Sequence, residues 1–167
     1  MNVNFDTFEK LKNLYNDLIA EGCNQFYIYG IKNIHPADDV NCLNNDGQKW
    51  EIYYTERGHK TKSFYSTYDL EDAVNYYKNF IINEIEHWHL ICFTRSNELM
   101  NTYKRILEEA QIEIIENNIP HYKYYGDVVF RVFVKGKGIF KAKELFDNIP
   151  YFDADLARYR AGFSGLD

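Results

Sequence analysis

His87-Trp88-His89 is the constellation in this chain with the plainest chemical potential. In a strand, residues i and i+2 share a face, so imidazoles at this spacing can reach one metal ion. A complete site needs more ligands. Glu84 and Glu86 lie close in sequence, and His59 or His121 would have to arrive through the fold. None stands at a recognised ligand spacing, and hydrogen-bonded structural histidines account for the pair with fewer assumptions. No metal or other cofactor is therefore expected. Cys23, Cys42 and Cys92 form an odd, widely spaced set without a C-x-x-C pair, which fits reduced, mostly buried thiols. Cys92 sits inside an apolar run, where a thiol is inert rather than nucleophilic. Gly136 and Gly138 precede a helix but lack the phosphate-loop spacing and the full dinucleotide fingerprint. A hairpin end or a bulge explains them equally. The adjacent carboxylates Asp38-Asp39 and Glu108-Glu109 read as solvated neighbours, because only a shared cleft would make them acid and base. There is no G-x-S-x-G elbow. The chain reads as a non-enzyme, and no catalytic residue is assigned.

The elements that would position these groups are legible in the periodicity. Asp6 with Glu9 suits a capping box for a first helix, stapled by Phe5. Phe8, Leu11, Tyr15, Leu18 and Ile19 fall on one face of it, and Gly22 ends it. FYIYGIK at 26–32 predicts a strand, and NIHPADD a loop. Asn44-Asn45-Asp46-Gly47 is the strongest turn, since Asp-Gly tolerates the positive φ of a tight hairpin. After it, WEIYYTE alternates Trp50, Ile52 and Tyr54 against Glu51, Tyr53 and Thr55; Arg57-Gly58 turns the chain, and KTKSFYS returns. Residues 26 to 66 thus predict an antiparallel meander with its charged tip at a hairpin end. A second helix, capped near Thr67 or Asp69, carries an apolar stripe of Leu70, Ala73, Val74, Tyr77 and Ile81.

From His87 the rhythm changes. HWHLICFTR predicts a strand covered on both faces, Ser96 caps a third helix, IEIIEN a strand, DVVFRVFVKG a central strand, and KAKELFDNI a short helix. That succession is close to a ferredoxin-type split β-α-β arrangement. Asp127, beside Gly126, is expected to stay wet, whereas Arg131 on the apolar strand needs a partner, with Glu113 or Glu116 in reach. The expected fold class is α+β: a helix, meander and helix over 1–85, a ferredoxin-like β-α-β-β-α half over 86–150, and a tail over 151–167.

Bulk properties narrow the function. A chain of 167 residues can bury an adequate core without disulfide or metal. Its net charge of -6 repels phosphate, which speaks against general nucleic-acid binding and favours a basic partner. MNVNFDTFEK has neither a basic start nor an apolar core, so no signal peptide is expected, and no apolar run suits a bilayer. A cytoplasmic protein is the expectation. Aromatics make up 17% of the chain, with 15 Tyr; Tyr serves cores and interfaces alike.

Over residues 50–77 the pattern W-E-I-Y-Y-T-E-R-G, then Phe64, then the acidic helix start Asp69 to Asp72 leading to Ala73, Tyr76 and Tyr77, resembles bacterial immunity proteins of polymorphic and contact-dependent toxin systems. That resemblance implies a non-enzymatic inhibitor that binds a cognate toxin domain in the producing cell and blocks its active site or a site nearby. An acidic, Tyr-bearing surface suits a basic toxin such as a nuclease. The expected contact surface is Glu51, Tyr53, Glu56 and Arg57 on the meander with Glu71 and Asp72 on the second helix. A rival surface lies in the second half, around His87, His89 and the tail. Two other functions compete: a regulatory domain whose ferredoxin-like half binds a small molecule or forms a homodimer, and a metal-dependent enzyme using His87 and His89.

Overall fold

The computed structural model describes residues 4–31 and 39–157. The chain divides into two compact units, Met1–Glu86 and His87–Asp167.

In the first unit, α1 (Phe5–Ala20) is followed by β1 (Phe26–Ile28), β2 (Val40–Asn45), β3 (Trp50–Glu56), β4 (His59–Thr67) and α2 (Leu70–Glu84). Asn4, rather than Asp6, caps α1 by accepting the Thr7 N–H at 2.9 Å; Asp6 lies in the first turn, where it complements the helix dipole. At the other end Gly22 takes φ 73°, and Cys23 N–H reaches Leu18 O while Gly22 N–H reaches Ile19 O, both at 2.9 Å. That is a Schellman motif, and it needs glycine at the left-handed position. The buried face of α1 is Leu11, Leu14 and Leu18; Phe8 and Ile19, expected inside, are exposed.

Strand order is β1-β2-β3-β4. The meander holds over β2, β3 and β4, but β1 joins β2 in parallel. The predicted loop NIHPADD falls, apart from Asp39, outside the described residues. The row Ile28, Leu43 and Ile52, with Trp50, packs on Leu11, Leu14 and Leu18 of α1 and on Ala73, Tyr77 and Ile81 of α2. Alternate residues form the opposite row, Tyr27, Cys42 and Tyr53, with Val40 beside it. The pairing of β4 with β3 shifts register twice, leaving Phe64 and Thr61 without an opposite residue. The first bulge places Phe64 and Tyr65 in sequence toward α2, where Phe64 meets Phe80 at 4.7 Å and Tyr65 stacks on Tyr76 at 4.3 Å.

The second unit runs β5 (Trp88–Thr94), α3 (Asn97–Glu109), β6 (Ile114–Glu116), β7 (Phe130–Lys135), α4 (Gly138–Leu145) and β8 (Tyr151–Phe152), with strand order β6-β7-β5-β8. β7 is antiparallel to both β5 and β6, so β5 and β6 run parallel around it: the split β-α-β. β8 adds beside β5 in parallel. Ser96 caps α3 through the Leu99 N–H at 3.1 Å. Met100 and Leu107 of α3, Ile139 and Ala142 of α4, and Ile91, Cys92, Val132 and Val134 of the sheet form one core cluster. Phe93, Val129 and Leu156, with Phe152, form another. The described part of the tail therefore packs back. Arg158, Tyr159, Arg160 and Phe163 lie outside the described residues.

Candidate functional site

The hairpin tip between β3 and β4 is built on two consecutive left-handed residues, Arg57 at φ 50° and Gly58 at φ 75°. A two-residue turn of this kind matches the twist of the flanking strands and favours Asn-Gly. Arginine is the strained choice, and it projects, with Glu56, into solvent. Further back along β3, Glu51 is mostly covered and ion-pairs with Lys60 across the ladder while accepting from Ser63 Oγ at 2.8 Å. Those donors, Lys60 foremost, hold its carboxyl below the usual glutamate value of 4.5.

Tyr53 does not belong to the exposed surface that alternation suggested. It is 9% exposed, lies opposite Cys42, and carries Lys60 over its ring at 5.3 Å. Burial, first of all, pushes its phenol up to about 12. Thr55, two residues on along the same face, is also buried and donates to Val40 O at 3.2 Å.

Glu71 and Asp72 occupy the first turn of α2, behind the Asp69 cap that accepts the Asp72 N–H at 2.9 Å. Glu71 pairs with Lys10 of α1 at 2.6 Å, both side chains more than half exposed. Because α2 packs on the Trp50 and Ile52 face while Tyr53 lies in the opposite row, the expected contact residues do not make one patch. Glu51 and Tyr53 belong to one side of the sheet and Glu71 and Asp72 to the other, with Glu56 and Arg57 at the tip.

The α2 side carries an element that sequence patterning did not single out. Tyr68, immediately before the cap, is 82% exposed. Tyr76, one turn beyond Asp72, is 36% exposed and is pinned by its stack on Tyr65, the planes 6° apart. The start of α2 thus leaves Tyr68 exposed before the cap and sets Asp72 one turn from the braced Tyr76, while Glu71 turns toward Lys10 of α1. The aromatic count signalled such a surface only in bulk, because exposure of a given Tyr is a tertiary property.

Elsewhere the candidate chemistry disperses. His87 is buried just before β5, where its carbonyl accepts the Gly136 N–H at 2.8 Å, and His89 stands opposite Val134. Among the described residues no group of three His, Cys, Asp or Glu is placed to hold a metal ion. His59 and His121 are both exposed. Burial pushes the Cys42 and Cys92 thiols up to about 12, and all three cysteines are buried and unbridged. Glu109 pairs with Arg105 on the exposed face of α3. Asp39 accepts from Tyr54 OH at 3.4 Å, and Asp38 lies outside the described residues. Gly138 opens α4, and a Cβ there would meet Ile112 Cγ2 at 3.1 Å, so its glycine serves close packing rather than a phosphate.

Arg131 pairs with neither Glu113 nor Glu116. Its guanidinium donates to Asn117 O at 2.8 Å and Asn117 Oδ1 at 2.7 Å, while Glu113 binds Lys135 at 3.3 Å and Glu116 binds Lys104. Asp127, expected to stay wet, is instead ion-paired to Arg95. Arg95 also reaches Asp155 at 2.9 Å, and its N–H donates to Asp153 at 2.7 Å. This cluster ties the start of α3, the approach to β7 and the segment after β8 together. Nothing local in sequence joins residues so far apart.

No family model matches the chain, and neither a curated protein nor a solved structure matches it. No helix among the described residues is long and apolar enough to cross a membrane.

Proposed function

We propose that this chain is a non-enzymatic inhibitor, an immunity protein that binds and neutralises a cognate bacterial toxin domain. The observation that carries the reading is the exposed start of α2: Tyr68 at 82% exposure, Asp72 in the first turn beside Glu71, which pairs with Lys10, and Tyr76 stacked on Tyr65. The carboxylates alone have a local explanation, because acidic residues stabilise a helix N-terminus. Tyr68 has no such explanation. A large aromatic held in water beside carboxylates is the composition of a hot spot that waits for a partner. Tyr contributes wide amphipathic area at low entropic cost, and the net charge of -6 steers toward a basic protein. Glu56 and Arg57 at the hairpin tip supply a second exposed contact. The strained left-handed Arg57 is tolerated where Asn or Gly would be cheaper.

The test is purification of the tagged chain from its native host and identification of what copurifies stoichiometrically. A toxin domain is expected. Its affinity should fall at least ~10-fold in a Glu71→Lys/Asp72→Lys variant and further when Tyr68→Ala is added. If only the chain itself is recovered while the neighbouring genes are expressed, the inhibitor reading fails.

A further inference from the structure

The second unit holds a loop, closed by Ile119 and Val129, whose base and tip are unlike. At the base, Ile119 and Val129 exchange backbone hydrogen bonds at 2.8 and 2.9 Å. Inside it, Tyr122 N–H donates to Asp127 O at 2.9 Å and Asp127 N–H to Tyr124 O at 3.0 Å. The Asp127 carboxylate accepts the Lys123 N–H at 3.1 Å and is ion-paired to Arg95. Gly126, at φ 79°, donates its N–H to His121 Nδ1 at 2.9 Å, and the His121 ring stacks on Tyr125 at 4.7 Å with planes 13° apart. Tyr122 turns inward, edge-on to Phe93 at 5.7 Å and beneath the Arg95 guanidinium at 5.8 Å.

Against this bracing, Tyr124 is 76% exposed and Tyr125 is 95% exposed. A loop fixed by side-chain caps at both ends has already met the ordering cost of binding, and its two exposed rings lie outside the core, Tyr125 resting on His121 of the loop itself. We infer that residues 121–127 form a prebuilt recognition loop that inserts Tyr124 and Tyr125 into a concave cleft of a protein partner, apolar at its floor and carboxylate-bearing at its rim. The cleft is concave because two adjacent rings exposed at 76% and 95% can be covered together only by a surface that wraps the tip, as when a long antibody loop enters a pocket. The rim is acidic because Lys123 is the one formal charge from His121 to Gly126, the Asp127 charge being turned inward to Arg95. This inference rests on the reading as an inhibitor and adds a contact on the other unit of the chain.

The experiment uses the full chain and the toxin domain recovered with it. Dissociation constants are compared for the native chain, a Tyr124→Ala/Tyr125→Ala variant, a Lys123→Glu variant and the Glu71→Lys/Asp72→Lys variant. The double alanine variant is expected to melt close to the native chain, since it loses no core packing and only the exposed Tyr125 stack on His121, and to bind about 100-fold more weakly. Lys123→Glu should weaken binding about 10-fold, less so in high salt. A Tyr125→p-benzoylphenylalanine variant should photo-crosslink to residues lining a cleft of the partner. Unchanged affinity in the double alanine variant, or crosslinks confined to a flat or convex face, overturns the loop assignment. If affinity then still falls in the Glu71→Lys/Asp72→Lys variant, the inhibitor reading stands without it. Recovery of no partner by the native chain overturns both.

Discussion

Tyr77→Phe isolates one hydroxyl at the centre of the first unit. Tyr77 is fully buried in α2, and its hydroxyl lies 2.7 Å from Asn41 O on β2 and 3.0 Å from Tyr27 O on β1. It therefore clasps the helix to the parallel β1–β2 pair. Phenylalanine keeps the ring and its packing, so the loss is confined to a buried hydrogen bond and a carbonyl left without that donor, about 1–2 kcal/mol. Removing the ring as well, in Tyr77→Ala, should cost about 3–5 kcal/mol because a cavity is added. The chain offers a clean assay. Its two tryptophans, Trp50 and Trp88, fall in different units. In a Trp88→Phe background, fluorescence follows Trp50, which is 8% exposed and edge-on to Tyr29 at 6.2 Å. With a urea m-value of about 2 kcal/mol/M, Tyr77→Phe should lower the midpoint by about 0.5–1 M. A midpoint within about 0.1 M of the parent would show that the hydroxyl adds nothing and that the two carbonyls do not depend on it.

Arg57→Asn should stabilise the first unit by about 0.5–1 kcal/mol, because Asn tolerates the left-handed conformation that Arg57 adopts at φ 50°; an unchanged Trp50 midpoint would count against strain at the tip. Cys42 and Cys92, whose thiols burial pushes up to about 12, should resist a thiol reagent at about pH 8 in the native chain and react once urea is added, as peptide mapping would show. Labelling of either in the native state would contradict their burial. Glu51 has a folded-state pKa below 4.5, chiefly through Lys60, so the unfolded chain binds its proton first as pH falls. Its contribution is present above 4.5 and is lost as pH drops through the lower folded value, so Glu51→Gln should flatten the fall in stability below 4.5. An unchanged slope would show that the Lys60 and Ser63 contacts do not act on folding.

The candidate surface was half legible. Glu56 and Arg57 could be placed at an exposed tip because turn chemistry is local, and Glu71 and Asp72 at a helix start because capping is local. Tyr53 misled. Period-2 alternation assigns a residue to a face but does not reveal that both faces of β3 are covered near its middle. Tyr68, Tyr124 and Tyr125 could not be told from the other tyrosines of the chain, since composition does not rank exposure.

The sequence by itself determined the punctuation of the chain. The Asp46-Gly47 and Arg57-Gly58 turns, the Ser96 cap, a second-helix cap narrowed to Thr67 or Asp69, and the Gly22 stop each act within a few residues, where hydrogen-bond geometry and allowed φ leave little choice. The first cap lies on Asn4, two residues before the expected Asp6. The Ala73, Tyr77 and Ile81 stripe likewise follows from helical period alone. Only the tertiary structure decided what these elements meet. Whether β1 would pair in parallel, which side Glu51 would share with Tyr53, and that Arg131 would choose Asn117 and Arg95 would choose Asp127 all depend on chain segments brought together from afar. Such contacts are selected by the closing of the cores around them, and a side chain's partner is fixed only when burial removes the option of water.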